Sequence, residues 1–310
     1  MRNTLRMDEK MLIAHFGDRL QQDVPLANLT TAKVGGSARY LLSSSSSAQL
    51  AADISFLWAA DVPLFVLGSG SNILVGDAGI NAVVILNKAK GVSIDNNSES
   101  PSIYAESGAI LITVARQAAM RGLTGLEWAT TIPGTVGGAV YGNAGAHRSS
   151  MQQNLLLADI LHRTNGSLSL NTEQMGYSYR SSVLKREPGN AVILAARLSV
   201  EQGDAEKIKA LMSEFAARRK LTQPPGPSMG STFKNPEGDS AGRIIDSLGL
   251  KGTRVGGIQV SPLHANFFIN DGRGTARDYY NLLLLVQGIV EEKTGIKLEP
   301  EIEMIGDWQE

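Results

Sequence analysis

The most informative stretch of the chain is a glycine-rich segment that reads Ile132-Pro133-Gly134-Thr135-Val136-Gly137-Gly138-Ala139-Val140-Tyr141-Gly142-Asn143-Ala144-Gly145-Ala146. Five glycines fall within twelve positions, and no residue of the segment is charged. Glycine reaches backbone conformations that other residues avoid and lets a ligand approach the main chain closely. A flexible linker is the alternative, but linkers are polar and rich in serine, whereas apolar side chains interleave this segment. The segment is therefore predicted to form a surface for a large polyphosphorylated ligand.

The composition indicates a globular protein and argues against general nucleic-acid binding and insertion into membranes. The chain has 310 residues, of which 43% are hydrophobic and 19% charged, and this length allows about two domains. The formal net charge of −1 argues against a general nucleic-acid binder. No apolar run is long enough to cross a bilayer, and the N-terminus lacks the pattern of a secretory signal. We expect a cytoplasmic protein.

Two further classes of chemistry are disfavoured by the side chains available. The chain contains no cysteine, which excludes disulfides, thiolate catalysis and cysteine-bound metals. The four histidines do not occur at the spacings of metal ligands, and they are His15, His147, His162 and His264. We therefore expect no metal site.

The order of the predicted helices and strands favours the α+β class over a doubly wound α/β fold. Strands and helices are mixed without regular βαβ alternation. A helix is predicted at 8–20, within an N-terminal helical segment at 1–28. Near residue 200 the pattern changes to a helix that Asp204 can cap and that a proline-rich stretch ends. The predicted parts are therefore 1–28, 29–200 and 201–310.

A second glycine-rich loop follows a predicted strand and consists of Gly68, Ser69, Gly70, Ser71 and Asn72. It begins like a dinucleotide-binding fingerprint, but the third glycine is replaced by Ile73 and a poor helix sequence follows. Successive N–H groups of such a loop can form an anion-binding nest, although a plain turn between strands is the alternative. Two uncharged glycine-rich loops in one domain suit the two ends of a dinucleotide pyrophosphate.

These two loops resemble the FAD-binding loops of the UDP-N-acetylenolpyruvoylglucosamine reductase (MurB) family. The resemblance spans nearly the whole chain in order, and its other motifs are Thr31-Ala32-Lys33-Val34-Gly35-Gly36, Tyr177-Ser178-Tyr179-Arg180, Gly230-Ser231-Thr232-Phe233-Lys234-Asn235-Pro236, His264-Ala265-Asn266-Phe267 and Leu298-Glu299-Pro300-Glu301-Ile302. It implies a two-part FAD-binding domain of the PCMH/VAO-like type at 29–200 and a smaller α+β domain for the UDP-sugar at 201–310. Ser231 and Glu301 are close in sequence for this family, which indicates its shorter, second type.

The resemblance also implies a reaction and its participants. NADPH reduces noncovalently bound FAD, and the flavin then reduces UDP-N-acetylglucosamine enolpyruvate to UDP-N-acetylmuramate, a peptidoglycan precursor. NADPH and the enolpyruvyl UDP-sugar are the expected partners, and the chain is expected to be a monomer. The implied FAD-binding residues are those of the two loops, namely Gly68, Ser69, Gly70, Ser71, Asn72, Pro133, Gly134, Thr135, Gly137 and Gly138.

Three residues match the family's catalytic positions. Arg180 would meet the charge that develops on the substrate carboxylate, Ser231 would donate a proton to carbon-2, and Glu301 would orient the substrate with Arg180. From the residues alone, Arg180 could be a solvated arginine, Ser231 a turn serine, and Glu301 one acidic residue of a solvated strand face. Strand alternation alone does not select Glu301 from its acidic neighbours. Lys234 and Asn235 are implied to bind the UDP end.

Some residues and readings stay open from sequence alone. His264 could be a structural histidine, and His147 with Arg148 looks unusual for the family, which raises covalent flavin attachment as an alternative. A flavin oxidase acting on a sugar or alcohol would share the glycine-rich loops, but it gives no reason for Ser231 and Glu301. A non-catalytic UDP-sugar binding module is a third reading, and the presence of all three candidate catalytic residues argues against it.

Overall fold

The computed structural model describes residues 9–308, and contacts divide them into two compact units. Unit 1 contains the described residues up to Gln21 together with Leu41–Gly68 and Ala82–Arg218. Unit 2 contains Gln22–Tyr40, Ser69–Asn81 and the described residues from Arg219 onward. The chain thus passes between the units several times, and each unit is built from segments far apart in sequence.

The helices of the described chain vary from one turn to five. They are α1 (Glu9–Phe16), α2 (Ser47–Ala59), α3 (Leu111–Ala119), α4 (Val136–Tyr141), α5 (Met151–Asn154), α6 (Val183–Arg186), α7 (Ala205–Thr222), α8 (Ala241–Ser247) and α9 (Ala276–Thr294). Short 3₁₀ segments also occur, at Gly17–Arg19, Leu26–Leu29 and Glu127–Thr131.

Most strands are short, and several are two-residue pairs. They are β1 (Leu20–Pro25), β2 (Ser37–Ser44), β3 (Leu64–Leu67), β4 (Ile73–Val75), β5 (Ile80–Asn87), β6 (Val92–Asp95), β7 (Ser102–Glu106), β8 (Leu123–Thr124), β9 (Gly145–Ala146), β10 (Ser149–Ser150), β11 (Leu155–His162), β12 (Gly166–Asn171), β13 (Ala191–Ser199), β14 (Glu201–Gln202), β15 (Arg254–Val255), β16 (Ile258–Val260), β17 (Phe268–Asn270) and β18 (Glu303–Ile305). A four-stranded sheet has the order β1-β2-β5-β3, and β3 runs parallel to β5.

A five-stranded antiparallel sheet organises unit 1, with the order β12-β11-β13-β7-β6. The central strand β13 buries Ile193, Ala195, Ala196 and Leu198 and contacts α2 and α4. Apolar residues of α3 face the same core, because the helix carries them at helical spacing with Leu111, Val114, Ala115 and Ala118 all buried. The glycine-rich segment contains α4 and is therefore supported by this sheet. Strands β6 and β7 of the sheet precede the segment in sequence, and β11, β12 and β13 follow it.

Unit 2 is built around the long helix α9 and a small sheet with the order β15-β16-β17. Thr275 caps α9 and accepts from the Asp278 N–H, while the Asp278 side chain accepts from the Thr275 N–H, which completes a capping box. Gly295 ends the helix at a φ of 72°, a left-handed conformation that favours glycine. The core includes the fully buried side chains Phe233, Phe268 and Tyr279.

The structure confirms most of the predicted elements and corrects one end of the chain. Of the N-terminal segment 1–28, residues 1–8 lie outside the described part, and a helix forms only over Glu9–Phe16. The predicted helix over 8–20 is therefore too long, and the helical interpretation of the segment is wrong at β1.

The predicted domain limits and the compact units describe different divisions. The predicted limits are continuous ranges, whereas unit 2 also includes 22–40 and 69–81. The assignment of the FAD and substrate domains to 29–200 and 201–310 stays a prediction. None of the helices formed by residues 9–308 combines the length and hydropathy that crossing a bilayer requires.

A carboxylate in unit 1 links the sheet to the start of α2 and yields a test of the fold. Glu106 accepts hydrogen bonds from the N–H groups of Ser47 (2.7 Å) and Gly91 (2.6 Å). Burial alone would raise the pKa of Glu106, but these two N–H donors outweigh it and hold the pKa below its ordinary value. The bonds therefore stabilise the folded state above the unfolded pKa, and this contribution is lost as pH falls through the folded pKa.

We predict that Glu106→Gln lowers the free energy of unfolding at pH 7 by about 1 kcal/mol, since one of the two N–H donors then faces an amide NH₂ group. The difference from wild type should shrink as the pH falls below about 4.3, the ordinary pKa of a glutamate, and through the lower folded-state pKa of Glu106, where the wild-type carboxyl becomes protonated. Denaturant titrations at pH 7 and pH 3 measure both effects. Glu173→Gln, at an exposed position of the same unit, is the control. An equal loss at both pH values would contradict the assigned charge–dipole contacts.

Candidate active site

The structure distributes the predicted site residues over the two units. Unit 1 carries Gly68, Pro133, Gly134, Thr135, Gly137, Gly138 and Arg180. Unit 2 carries Ser69, Gly70, Ser71, Asn72, Ser231, Lys234, Asn235 and Glu301. The loop at 68–72 is thus divided after its first glycine, and each group of residues has its own local architecture.

In unit 1 the glycine-rich segment is ordered by main-chain contacts with the turn that precedes α3. The Val136 N–H donates to Ala109 O and the Gly137 N–H donates to Ser107 O, each at 2.8 Å. A Cβ at Gly137 would lie 2.8 Å from the Cβ of Ser107, so only glycine permits this approach. These two N–H groups are used inside the protein. The expectation that backbone N–H groups of the segment bind phosphate is therefore corrected for Val136 and Gly137.

The two predicted glycine-rich loops meet in unit 1 at Gly68 and Thr135. A Cβ at Gly68 would lie 2.7 Å from the Thr135 hydroxyl oxygen. That hydroxyl caps α4 by accepting from the Gly138 N–H at 3.3 Å. A Cβ at Gly138 would meet only the same hydroxyl, at an ordinary 3.6 Å. The surface at Gly138 is therefore smooth and open, as a bound planar or polyphosphorylated group requires.

Arg180 lies at the tip of a tight turn in unit 1. Ser178 and Ser181 exchange two N–H to carbonyl hydrogen bonds, both 3.1 Å long, and Tyr179 and Arg180 form the tip. Arg180 has a φ of 56°, a conformation that costs a non-glycine residue energy and persists only where the surrounding structure enforces it. Its guanidinium carbon lies 5.4 Å from the centre of the Tyr179 ring. The turn thus presents a cation on a rigid support.

Three side chains tie this turn to the glycine-rich segment. The Tyr177 hydroxyl donates to Val140 O at 3.0 Å, and burial raises the pKa of Tyr177, which keeps this donor protonated. The Ser182 hydroxyl donates to Tyr141 O at 2.7 Å. The side-chain amide of Asn143 donates to Ser178 O at 3.0 Å. Arg180 is therefore fixed relative to the predicted FAD-binding segment, a connection that sequence reasoning did not identify.

In unit 2 the remainder of the first loop is joined to the segment that carries Glu301. The side-chain amide of Asn72 donates to Glu301 O at 3.1 Å, and the Glu303 N–H donates to Asn72 O at 2.9 Å. From there β4 and β18 continue as a parallel pair. The Asn72 side chain thus holds the chain at Glu301 in place, and its contact with FAD stays a prediction.

The segment with Ser231 and Lys234 runs alongside the Glu301 segment. The Glu301 N–H donates to Thr232 O and the Lys234 N–H donates to Glu299 O, both at 2.8 Å. The two segments therefore form a short antiparallel ladder in unit 2, centred on an isolated bridge between Phe233 and Pro300. Ser231, Lys234 and Glu301 are all partly exposed, so their side chains are accessible along this ladder.

Asn266 supports the same segment from its other side. Its amide accepts from the Phe233 N–H at 2.9 Å and donates to Phe233 O at 2.8 Å. Both partners are buried, and leaving either peptide group unpaired would cost about 1–3 kcal/mol. Sequence reasoning gave Asn266 no role. The available signal was an asparagine between the apolar residues Ala265 and Phe267, but its partner is 33 positions away.

The remaining predicted residues of unit 2 have local partners. Lys234 forms an ion pair with Glu299 at 3.1 Å, and the Asn235 side-chain oxygen accepts from the Ala241 N–H at 3.1 Å. Nδ1 of His264 accepts from the Asn266 N–H at 3.2 Å, and burial lowers the pKa of His264. This geometry favours a structural role for His264. Within residues 9–308, no three His, Asp or Glu side chains are grouped as metal ligands.

Curated relatives match the chain along nearly its full length. The UDP-N-acetylenolpyruvoylglucosamine reductase of Rubrobacter xylanophilus is 44% identical over 287 residues, which cover 92% of this chain and 95% of that protein. The chain belongs to the UDP-N-acetylenolpyruvoylglucosamine reductase family. The reductase of the same name from Synechocystis is 39% identical over 298 residues, covering 96% of this chain and 94% of that protein.

Family models and a solved structure agree with this assignment. A model described as an FAD binding domain matches residues 38–168, and one described as the UDP-N-acetylenolpyruvoylglucosamine reductase C-terminal domain matches 220–305. The crystal structure of the MurB reductase from Thermus caldophilus superposes with a TM-score of 0.79 at 35% identity, covering 92% of this chain and 98% of that one. The predicted family, the α+β fold class with an FAD-binding part followed by a second part, and the FAD cofactor are confirmed.

The open surface at Gly138 provides a test of where FAD binds. We predict that Gly138→Ala leaves the apo-protein as stable as wild type or more stable by about 0.5–1 kcal/mol, because alanine is the better helix former. FAD affinity should nevertheless fall, because the new methyl group projects from the surface predicted to contact FAD. Titration of apo-protein with FAD, followed by flavin fluorescence, measures this.

Gly142→Ala is the matched control. Gly142 ends the same short helix at a φ of −94°, which alanine adopts without strain, and it lies outside the predicted FAD-binding residues. Equal FAD affinities for Gly138→Ala and wild type would show that the cofactor does not contact this surface.

Proposed function

We propose that the chain reduces UDP-N-acetylglucosamine enolpyruvate to UDP-N-acetylmuramate, using NADPH and bound FAD, in the synthesis of a peptidoglycan precursor. The observation that carries the proposal is the ladder in unit 2, which sets Ser231 and Glu301 on adjacent segments of a chain belonging to this reductase family. An oxidase acting on a simple sugar needs no such pair.

The bound FAD would supply the redox chemistry, taking hydride from NADPH and returning it to carbon-3 of the enolpyruvyl group. The residues of unit 1 fit such a group. Thr135 and Gly138 form a smooth surface beside Gly68, where added side-chain atoms would protrude or clash. The protein residues then have to bind the substrate, stabilise its developing charge and deliver one proton.

Arg180 is proposed to stabilise the charge on the substrate carboxylate. Hydride addition at carbon-3 places negative charge on carbon-2 and, through conjugation, on the carboxylate oxygens. A guanidinium has several N–H donors in a planar fork that matches a carboxylate. The guanidinium stabilises the developing charge most when it is in place before the reaction, and the tight turn at 178–181 supports it there.

Ser231 is proposed to deliver the proton to carbon-2, and Glu301 to orient the substrate. The Glu301 N–H donates to Thr232 O at 2.8 Å, and Ser231 pairs with Phe267 in an isolated bridge, so the backbone is supported at both residues. The Ser231 hydroxyl loses its proton to carbon-2 and regains one from solvent at the end of the cycle. Lys234 and Asn235, next along the same segment, are proposed to bind the UDP end.

The location, the oligomeric state and the mode of FAD binding belong to the same proposal. We expect the protein to work as a cytoplasmic monomer with noncovalently bound FAD. Light scattering after size exclusion should give a mass near 33.0 kDa, and acid precipitation should release the flavin into the supernatant. A dimer mass or flavin retained in the pellet would contradict these two points while leaving the reaction itself unaffected.

The experiment that tests the function is a pair of half-reactions on the purified chain. Anaerobic NADPH should bleach the flavin absorbance, and the enolpyruvyl UDP-sugar should then restore it with formation of UDP-N-acetylmuramate. A protein that takes up no FAD, or that is reoxidised by oxygen but not by this substrate, would overturn the proposal. Oxygen consumption with a simple sugar would support the flavin oxidase instead, and substrate binding without turnover would support the binding module.

We predict that Ser231→Ala still allows NADPH to reduce the flavin, because the proton donor acts only in the second half-reaction. Product formation should fall by about 10²–10⁴-fold, the usual contribution of a positioned acid. Stopped-flow absorbance follows each half-reaction separately. Ser228→Ala, three residues earlier in the same loop, is the control. A matching loss in both half-reactions of Ser231→Ala would remove Ser231 from the role of proton donor.

A further inference from the structure

The glycine-rich segment at 132–146 ends in a hairpin whose turn is built from unfavourable residues. Ala146 pairs with Ser149, so His147 and Arg148 are the two residues of the turn between β9 and β10. Their φ values are 53° and 66°. Positive φ at both positions is the pattern of a type I′ turn, for which Asn-Gly is the preferred sequence. A histidine and an arginine are strained there, and strain of this kind is kept where a side chain has a function.

The His147 side chain closes the base of the segment. Its Nε2 is hydrogen-bonded to the Thr131 hydroxyl at 3.2 Å, and Thr131 immediately precedes the segment. Thr131 is only 7% exposed and lies at the end of the 3₁₀ segment Glu127–Thr131. One hydrogen bond therefore joins the two ends of the segment 132–146. Gly134, Thr135 and Gly138 lie within that segment.

Phe215 of α7 covers the outer face of the His147 ring. The two rings are stacked with centres 3.7 Å apart and an angle of 9° between their planes. Partial burial and the charge of Arg218 lower the pKa of His147, and the charge of Glu214 opposes them. The ring is therefore neutral near pH 7 and is engaged at Nε2 and on one face. This arrangement favours a supporting role for His147 over covalent attachment of the flavin.

We propose that His147 is a positioning residue that, through Thr131 and Phe215, holds the glycine-rich segment in the conformation that binds FAD. The inference rests on the proposed function, because it assumes that 133–138 contacts FAD. A glycine-rich segment has many accessible conformations, and restricting them before FAD arrives lowers the entropy cost of binding. The clasp, defined as Thr131, His147 and Phe215, supplies that restriction from outside the binding surface.

The clasp can be removed without disturbing the turn. His147→Asn keeps a residue that tolerates positive φ, but its side chain is too short to reproduce the ring contacts. Thr131→Val removes the hydroxyl while keeping the branched shape. Arg148→Gly is the matched control, since it relieves strain at the neighbouring turn position, is exposed, and leaves the clasp intact.

We expect apo-protein of His147→Asn and of Thr131→Val to bind FAD at least fivefold more weakly than wild type, with Arg148→Gly unchanged. The double variant His147→Asn/Thr131→Val should lose less affinity than the product of the two single losses, because both substitutions remove the Thr131–His147 hydrogen bond, whereas only Thr131→Val removes the 3.4 Å bond to Trp128 O. Titration with FAD, followed by flavin fluorescence, measures these affinities. Once FAD is saturating, turnover should return to that of wild type, which separates positioning from a catalytic role.

Hydrogen exchange of the apo-proteins gives a second readout that does not involve FAD. Amides of 132–146 should exchange faster in His147→Asn and Thr131→Val than in wild type and Arg148→Gly. Unchanged FAD affinity in His147→Asn, or an equal loss in Arg148→Gly, would overturn the proposal. If the wild-type chain takes up no FAD, the proposed function fails, and the exchange pattern still decides whether the clasp holds the segment.

Discussion

Close approach of main chain to main chain at 107–109 and 136–137 is the constraint on which the conformation of the glycine-rich segment in unit 1 depends. Two hydrogen bonds of 2.8 Å fix this approach, and the lack of a side chain at Gly137 permits it. Once α4 is set in this way, its carbonyl oxygens at Val140 and Tyr141 become anchors for the turn that carries Arg180. The candidate cofactor surface and the candidate catalytic cation thus share one rigid support.

The predicted site residues of unit 2 are supported by a different set of contacts. The extended segments at 231–234, 266–267 and 299–301 are each too short to form a regular sheet. Main-chain hydrogen bonds and the side-chain amides of Asn72 and Asn266 hold them together. Asparagine suits this use because its side chain offers a donor and an acceptor in the geometry of a peptide group. Ser231, Lys234 and Glu301 are placed on a firm backbone, while their side chains stay accessible. Preorganisation of this kind is what an electrostatic site requires.

The hairpin with His147 and Arg148 shows how local and global preferences can disagree. Asn-Gly is the preferred sequence in a type I′ turn, so His147 with its positive φ makes the turn itself less stable. Its ring contacts with Thr131 and Phe215, which are distant in sequence, compensate for that cost. Exceptions to local rules are expected where a residue serves a site rather than its own element.

The sequence alone determined the elements with strong periodic or capping signals. The capping box at Thr275, the apolar face of α3 and the strands β11 and β13 could all be predicted, because their signals lie within a few residues of one another. Failure of the dinucleotide fingerprint at Ile73 was also decisive, and the structure places the strand β4 there instead of a helix. The motifs sufficed for the family and for FAD, because each motif is a continuous stretch.

Only the tertiary structure decided which residues support the site. Asn266 and Phe233 are 33 positions apart, and Asn72 lies 229 positions from Glu301, so no local pattern connects them. The use of the Val136 and Gly137 N–H groups by Ala109 and Ser107 was hidden for the same reason. Propensity and periodicity give information about residues that lie close to one another in sequence. Hydrogen-bond partners of buried peptide groups are chosen by packing, which brings together segments that the sequence keeps apart.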